Sequence, residues 1–253
     1  MKKFIIFVLF LGISITGFSQ FISYPPQILG GDYNYRKVFY QEFYFPPEVL
    51  KSKVEGEVKI DFLVSTEGKA SDFHVTKSVH PQLDSAYIDI LERLVWIPGT
   101  QDGAVSDMRM IKSKKFKIKK YLKLVKARSY DQPPYKFTPY NTSLHIIDFA
   151  EVETSAHTYY QSEKVNVFKF ISEYIKIPDA AVKRGLKGVV ELEFIIEPSG
   201  RLSNFKEIKG VGGGCTEEAI RLMQMLDWEP AQVKGEYVRS SYRIKVNFGN
   251  TKY

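Results

Sequence analysis

Three stretches of the chain alternate apolar with polar residues. The alternation runs from Val58 to Val64, from Val190 to Ile196 and from Tyr242 to Phe248. A period of two is typical of strands with one buried and one exposed face. Gly68 and Gly200 follow the first two stretches within turn-like sequences, where glycine readily supplies a positive φ. The pattern therefore predicts two hairpins, and the third stretch predicts a later strand.

Apolar residues at helical spacing precede each predicted hairpin. They recur through residues 35–43 and 167–175, and each series stops before a proline, Pro46 or Pro178. Proline lacks the backbone N–H that continues a helix, so each helix is expected to end there.

A second helix is predicted after each hairpin. Apolar residues recur with helical spacing from Ile88 to Val95 and from Ala219 to Leu226. Thr216 is the expected N-cap of the later helix, and Asp84 is its counterpart in the earlier one. The order helix, strand, strand, helix, strand packs most simply as a three-stranded antiparallel sheet with two helices on one face. The predicted fold class is α+β.

The chain repeats itself at an offset of 132 residues. Residues 46–116 align with 178–248 without gaps, and 16 of these 71 positions are identical, whereas chance pairing gives roughly four. The matches concentrate where local structure constrains the residue type, as in Pro46/Pro178, Gly56/Gly188, Val58/Val190, Phe62/Phe194, Gly68/Gly200, Phe73/Phe205, Trp96/Trp228, Pro98/Pro230, Gly103/Gly235 and Phe116/Phe248. The repeat predicts tandem copies of one small domain, residues 20–120 and 154–253, joined by a linker at 121–153.

The amino terminus has the features of an export signal. Two lysines precede an apolar stretch, Phe4–Phe18, and small residues precede Gln20. As a helix that stretch would span roughly 22 Å, less than the roughly 30 Å hydrocarbon core of a bilayer. We therefore predict a cleaved signal peptide, residues 1–19, and export from the cytoplasm. A retained membrane anchor is the alternative.

The composition excludes several kinds of site and leaves one candidate nucleophile. The 253 residues include one cysteine and four histidines, so no internal disulfide forms, and no metal-ligand spacing is present. We expect no metal site and no cofactor. Cys215 lies near the start of a predicted helix, where a thiol pKa can be lowered, so a small cysteine hydrolase is an alternative hypothesis, although no histidine lies nearby in the sequence.

Positive charge is concentrated in one segment. The formal net charge is +7, and residues 112–128 carry nine Lys or Arg and no Asp or Glu. In an exported protein such a stripe favours anionic lipid, lipopolysaccharide or an acidic partner, and nucleic acid is not an expected partner. A solvated lysine face on a strand or helix is the plainer interpretation.

Both copies carry one ordered set of short motifs that resembles the TonB carboxy-terminal domain family. In the second copy the set comprises Ile177-Pro178-Asp179-Ala180-Ala181, Gly185-Leu186-Lys187-Gly188-Val189-Val190, Ser199-Gly200, Trp228-Glu229-Pro230-Ala231 and Gly235. In the first copy it comprises Phe45-Pro46-Pro47, Gly56-Glu57-Val58, Glu67-Gly68, Trp96-Ile97-Pro98 and Gly103.

The resemblance implies a non-enzymatic periplasmic domain that binds peptide segments of envelope or outer-membrane receptor proteins, partly by strand addition. An edge strand offers unpaired backbone groups to such a segment. We expect the edge at residues 238–248 to bind a partner through Val238, Ser240, Tyr242, Arg243, Ile244 and Lys245. A membrane-anchored energy transducer is the alternative, although no long spacer separates the apolar stretch from the first copy. The oligomeric state is left open.

Overall fold

The structure is a computed structural model that describes residues 23–249. The predicted signal peptide, residues 1–19, lies outside the described residues.

The first copy contains β1 (Ser23–Tyr24), β2 (Gln27–Ile28), α1 (Gly31–Glu42), α2 (Pro47–Lys51), β3 (Gly56–Val64), β4 (Ala70–Lys77), α3 (Pro81–Arg93), β5 (Trp96–Ile97), β6 (Gly99–Gln101), β7 (Ala104–Ser106), β8 (Met108–Phe116) and α4 (Ile118–Arg128). The second copy contains β9 (His157–Tyr160), β10 (Glu163–Lys164), α5 (Val167–Tyr174), α6 (Asp179–Lys183), β11 (Gly188–Ile196), β12 (Leu202–Lys209), α7 (Cys215–Met225), β13 (Asp227–Glu229), β14 (Gln232–Val233), β15 (Glu236–Tyr237) and β16 (Ser240–Phe248).

Each copy is built on a three-stranded antiparallel sheet. The strand orders are β4-β3-β8 and β12-β11-β16, so the first strand of each hairpin lies in the centre. The registers also match, because Gly56 pairs with Phe116 in one sheet and Gly188 with Phe248 in the other. The predicted α+β class and the predicted pair of copies are confirmed.

One face of each central strand supplies the core. Val58, Ile60 and Phe62 are buried against α1 and α3, and the second copy repeats this arrangement with α5 and α7. Burial of alternate residues is the expected result of a period-two pattern with helices on one face.

A tryptophan and a glycine explain part of the repeat. The indole N–H of Trp96 donates to Leu91 O (3.2 Å), and that of Trp228 donates to Met223 O (2.9 Å). Gly68 has φ 75°, and a Cβ there would overlap the carbonyl oxygen of Trp96. The same close approach joins Gly200 to Trp228, which accounts for both identities in the alignment.

The predicted N-caps were wrong. Helix α7 begins at Cys215 with Gly214 as its N-cap, in the left-handed conformation at φ 89°. The Thr216 hydroxyl instead donates to Glu207. In α3 the N-cap is His80, which accepts from the N–H of Gln82, and Asp84 accepts from Ser78. Gly214 in the left-handed conformation sets the start of α7, and Pro81 at the first helical position, together with the His80 side chain, sets the start of α3.

The predicted boundary at residue 120 falls inside α4. Tyr121 of this helix packs edge-on against Phe43 and tilted against Phe45, in the core of the first copy. Both predicted domain boundaries remain predictions.

Candidate functional site

The two sheets present four outer edges. They belong to β4 and β8 in the first copy and to β12 and β16 in the second. Backbone N–H and C=O groups on an edge strand can pair with an added segment, unless other parts of the chain cover them. The four edges differ in that cover.

The connecting segment, residues 129–156, covers the beginning of the β16 edge. The N–H of Ile147 donates to Arg239 O (3.0 Å), and Ile147 O accepts from the N–H of Ser241 (2.9 Å). This is a parallel bridge, and a second parallel bridge joins Tyr140 to Tyr237. The backbone groups of Arg239 and Ser241 therefore face away from β11.

Beyond Ser241 the edge is open at two residues. Because backbone directions alternate along a strand, Arg243 and Lys245 also direct their N–H and C=O groups outward. Neither residue has a further backbone partner within residues 23–249. Arg243 donates to Glu193 (2.6 Å) and Lys245 lies 3.9 Å from Glu191, so both side chains stay on the exposed face.

The other four predicted binding residues are less accessible. Val238 lies before β16 and is buried, with its N–H donating to Ala231 O (2.9 Å). Ser240 is buried beside the connecting segment, and Ile244 is buried in the core. Tyr242 is partly buried, with its ring packed against Trp228. The structure thus leaves only part of the predicted edge exposed, and partner binding there stays a prediction.

The β12 edge is covered by the first copy. Asn34 of α1 uses its side-chain amide as a strand partner, since Nδ2 donates to Phe205 O (2.8 Å) and Oδ1 accepts from the Phe205 N–H (3.2 Å). Asn204 accepts from the N–H of Val95 (3.0 Å) and donates to Arg93 O (3.1 Å). The first half of β12 is consequently buried.

Sequence reasoning missed Asn34, although a signal was present. Asn34, Val38 and Glu42 lie four residues apart on the buried face of α1. A polar residue within a buried stripe indicates a specific hydrogen-bonding partner. Here the partner is a strand of the other copy.

The edges of the first copy are open by comparison. Lys59 O faces β4, because it accepts from the Thr76 hydroxyl (3.1 Å). Even-numbered residues of β3 therefore pair with β8, and Ile111 and Ser113 of β8 direct their backbone groups outward. No backbone partner meets the outer edge of β8 or of β4 in the part of the chain that the structure describes.

The basic segment spans two elements with different roles. Residues 112–128 cover the second half of β8 and all of α4. Arg128 is buried, and its guanidinium donates to Tyr40 O (2.7 Å), so it stabilises the fold. Lys117 pairs with Glu55 (2.8 Å), and that bond holds the pKa of the Glu55 carboxyl below its usual range. Five further lysines have exposed side chains, namely Lys115, Lys119, Lys120, Lys123 and Lys126.

Two arginines of the second copy connect it to the first. The Arg239 guanidinium lies 3.2 Å from Glu197, and both side chains are buried. It also donates to Arg93 O (2.7 Å) in the first copy and to Leu144 O (2.9 Å) in the connecting segment. Arg201 pairs with Glu42 across the same junction, with 2.9 Å between Nε and Oε1.

Cys215 is fully buried in the core of the second copy. Burial raises the pKa of its thiol, so the reactive thiolate is disfavoured. Within residues 23–249, no group of three or more His, Cys, Asp or Glu side chains is placed to hold a metal ion. The helices in the same range are all too short or too polar to cross a bilayer.

Comparison with known proteins identifies the repeated unit. The family model for the Gram-negative bacterial TonB protein C-terminal matches residues 41–118 and 173–249. The two matches cover more than half of the chain, and they contain the sheets β4-β3-β8 and β12-β11-β16 respectively. The chain belongs to the TonB C-terminal family. The predicted family and the predicted tandem arrangement are thereby confirmed.

TonB C-terminal domains are periplasmic protein-interaction modules, and this chain carries two of them. A search of curated proteins finds no match to the chain.

Proposed function

We propose that this protein is a non-enzymatic periplasmic binding module whose TonB C-terminal domains bind extended segments of envelope or outer-membrane proteins by strand addition. The observation that carries the proposal is the open outer edge of β8, together with the outward backbone groups of Arg243 and Lys245 in β16. Backbone groups on such edges recognise an extended chain with little dependence on its sequence.

The connecting segment provides an internal precedent. Ile147 already adds to the start of β16 in parallel, through two backbone hydrogen bonds. A partner would extend the same type of pairing beyond Ser241 or along β8. Four to six such bonds, at about 1 kcal/mol net each and offset by the ordering of the partner, give weak to moderate affinity.

Two proline variants test strand addition. Ile111→Pro and Lys245→Pro each remove an outward N–H and leave the internal ladder intact, whereas Ile111→Ala and Lys245→Ala keep the N–H and serve as controls. Each variant is immobilised and exposed to envelope extract, with folding checked by circular dichroism. We expect the proline variants to lose partners that the alanine variants retain. Equal capture by folded proline and alanine variants would exclude strand addition at these edges.

Export and cleavage form a separate part of the proposal. A mature amino terminus at Gln20, measured by mass spectrometry of the purified protein, supports the soluble periplasmic form. A retained apolar stretch would instead favour the membrane-anchored transducer.

The absence of enzymatic activity also has a test. The burial of Cys215 argues against the hydrolase alternative, so Cys215→Ala is expected to leave partner capture unchanged. Loss of partner capture in a folded Cys215→Ala variant would show that the thiol is needed, and would favour the hydrolase.

A second candidate function rests on the exposed face of α4. Lys119, Lys123 and Lys126 lie on one side of this helix, and Leu122 beside them is 53% exposed. Such a face suits adsorption to an anionic envelope surface. Sedimentation with phosphatidylglycerol vesicles, compared with phosphatidylcholine vesicles, tests this interaction, which should weaken as salt is added.

A further inference from the structure

Lysines occupy core-facing positions in β8. At the offset of 132 residues, Lys112 and Lys114 correspond to Ile244 and Val246, which are buried in the second core. The registers of β8 and β16 with their central strands are the same, so the lysines lie on the face that carries α1. A lysine in such a position weakens the core, because its charge loses hydration. The first copy therefore has cations where apolar residues would stabilise it better.

The Lys114 ammonium lies against aromatic rings. Its Nζ is 4.0 Å from the centre of the Phe39 ring and 5.2 Å from that of Tyr35. Burial lowers the pKa of Lys114, and the nearby charge of Lys120 lowers it further. No carboxylate between residues 23 and 249 lies within ion-pair distance of Lys114. A carboxylate brought by a ligand would restore the interactions that this cation lacks.

A small pocket opens beside these lysines, at the end of β8 and between α1 and α4. Phe39, Phe43, Phe116 and Tyr121 form its apolar wall, with Lys114 and Lys120 at its rim. Its volume is about 140 Å³, and an apolar cavity of about 150 Å³ accommodates one benzene molecule. The pocket is thus the size of a single aromatic ring.

The second copy does not repeat these features. At the same offset of 132 residues, Ile171, Ile175 and Val246 stand in place of Phe39, Phe43 and Lys114. The second copy therefore lacks an equivalent of Lys114 between aromatic rings of its first long helix, whereas in the first copy this lysine lies beside an open strand edge.

We propose that the β8 edge and this pocket together bind an extended acidic segment that carries one aromatic side chain. The inference rests on the proposed function, because it supplies the partner chemistry for one of the open edges. The ring fills the pocket, the backbone pairs with Ile111 and Ser113, and carboxylates meet Lys112 and Lys114. The nine basic and no acidic residues of the segment 112–128 supply the charge complementarity.

The probe is a fluorescent peptide as long as β8, with glutamates at alternate positions and one central phenylalanine. Its binding to the full chain is measured by fluorescence anisotropy. Replacement of the glutamates by lysines, or of the phenylalanine by alanine, should each weaken binding about tenfold or more. Lys114→Val introduces the residue of the second copy and should weaken binding of the acidic peptide about tenfold. Lys206→Val, at an exposed position of the second copy, is the charge-matched control and should have no effect.

The outcomes separate this inference from the proposed function. Equal affinities for the acidic and lysine peptides, or an unchanged affinity in folded Lys114→Val, would overturn the acidic-segment inference. Strand addition would nevertheless stand if Ile111→Pro abolished binding of both peptides while Ile111→Ala did not. Equal binding of the peptides by folded Ile111→Pro and Ile111→Ala would instead overturn strand addition at β8. Phosphatidylglycerol vesicles could also displace the peptide. Equal displacement of the peptides with and without the phenylalanine would assign the lysines to a lipid surface and overturn the inference.

Discussion

The first copy leaves both outer edges of its sheet open, whereas the second copy has one edge covered by α1 and the other partly covered by the connecting segment. The difference is clearest between β4 and β12, which have the same register to their central strands. Most of β4 is exposed, whereas the first half of β12 is buried.

This comparison shows that a repeated unit does not imply a repeated surface. Phe205 has its backbone groups bound by Asn34, whereas its counterpart Phe73 meets no such side chain within the described chain. In the second copy, the β12 edge is occupied by contacts with α1 of the first copy. The first copy leaves its edges open, and the predictions below uncover or perturb the covered and the open edges in turn.

The largest effect is expected from Arg239→Ala. Removal of this guanidinium leaves Glu197 buried without its cation, removes the donor to Leu144 O and takes one of two donors from Arg93 O. Loss of one partner from a buried pair costs about 3–5 kcal/mol of unfolding free energy. Urea denaturation measures this loss of unfolding free energy. Arg243→Ala, which removes the exposed ion pair with Glu193, is the matched control and should cost about 1 kcal/mol or less. Similar losses in both variants would show that the junction does not stabilise the second copy.

Asn34→Ala tests the cover on β12. The substitution leaves the buried N–H and C=O of Phe205 without their partner, which costs about 2 kcal/mol. Asn166→Ala, at the corresponding position of the second copy, removes only a helix N-cap and should cost about 1 kcal/mol. Hydrogen exchange at Phe205 should accelerate in Asn34→Ala alone. Unchanged protection there would mean that Asn34 is not what closes this edge.

A pH dependence is expected from Lys37, whose ammonium lies 5.3 Å from the centre of the Phe205 ring. Burial lowers the pKa of Lys37 to about 8. Below pH 8 the lysine is charged in both states and burial of its charge destabilises the fold. As the pH rises above 8, the folded state loses this proton before the unfolded state does, so the unfolding free energy increases until the ordinary lysine pKa is reached.

Lys37→Met should remove that dependence and stabilise the protein at neutral pH by on the order of 1 kcal/mol, allowing for partial exposure. Melting curves between pH 7 and 10 measure the difference, with Lys51→Met on an exposed position of α2 as control. Identical pH profiles for the wild type and Lys37→Met would contradict the assignment.

The smallest change in stability is expected at the open edge itself. The N–H of Ile111 faces outward, so Ile111→Pro should alter the unfolding free energy by about 1 kcal/mol or less. The N–H of the adjacent Met110 pairs with β3, so Met110→Pro should cost about 3 kcal/mol. Equal losses in thermal denaturation would indicate that the assigned backbone directions in β8 are reversed.

Much of the fold could be predicted because its constraints are local. The alternation around Val58 and Val190 predicted both central strands. Gly68 and Trp96 marked a turn and a helix end, and the second copy repeats them as Gly200 and Trp228. The predicted N-caps were wrong because α7 begins after Gly214 in the left-handed conformation and α3 begins at Pro81 after His80, so Thr216 and Asp84 both lie inside their helices.

The candidate site could be predicted only in part. Its strand, β16, was identified from alternation, but the parallel pairing of Ile147 with Ser240 was not, because the connecting segment has no periodic pattern. The core-facing position of Lys114 also became meaningful only beside the aromatic rings of α1.

By itself the sequence determined the repeated α+β unit, its strand and helix order and its family resemblance, since all of these depend on periodicity and on a few residues with special backbone or packing needs. Which edges remain open was decided only by the tertiary structure. Asn34 and Phe205 are 171 residues apart, and a hydrogen bond over that separation has no local signature. An edge strand looks the same in sequence whether water or another part of the chain meets it.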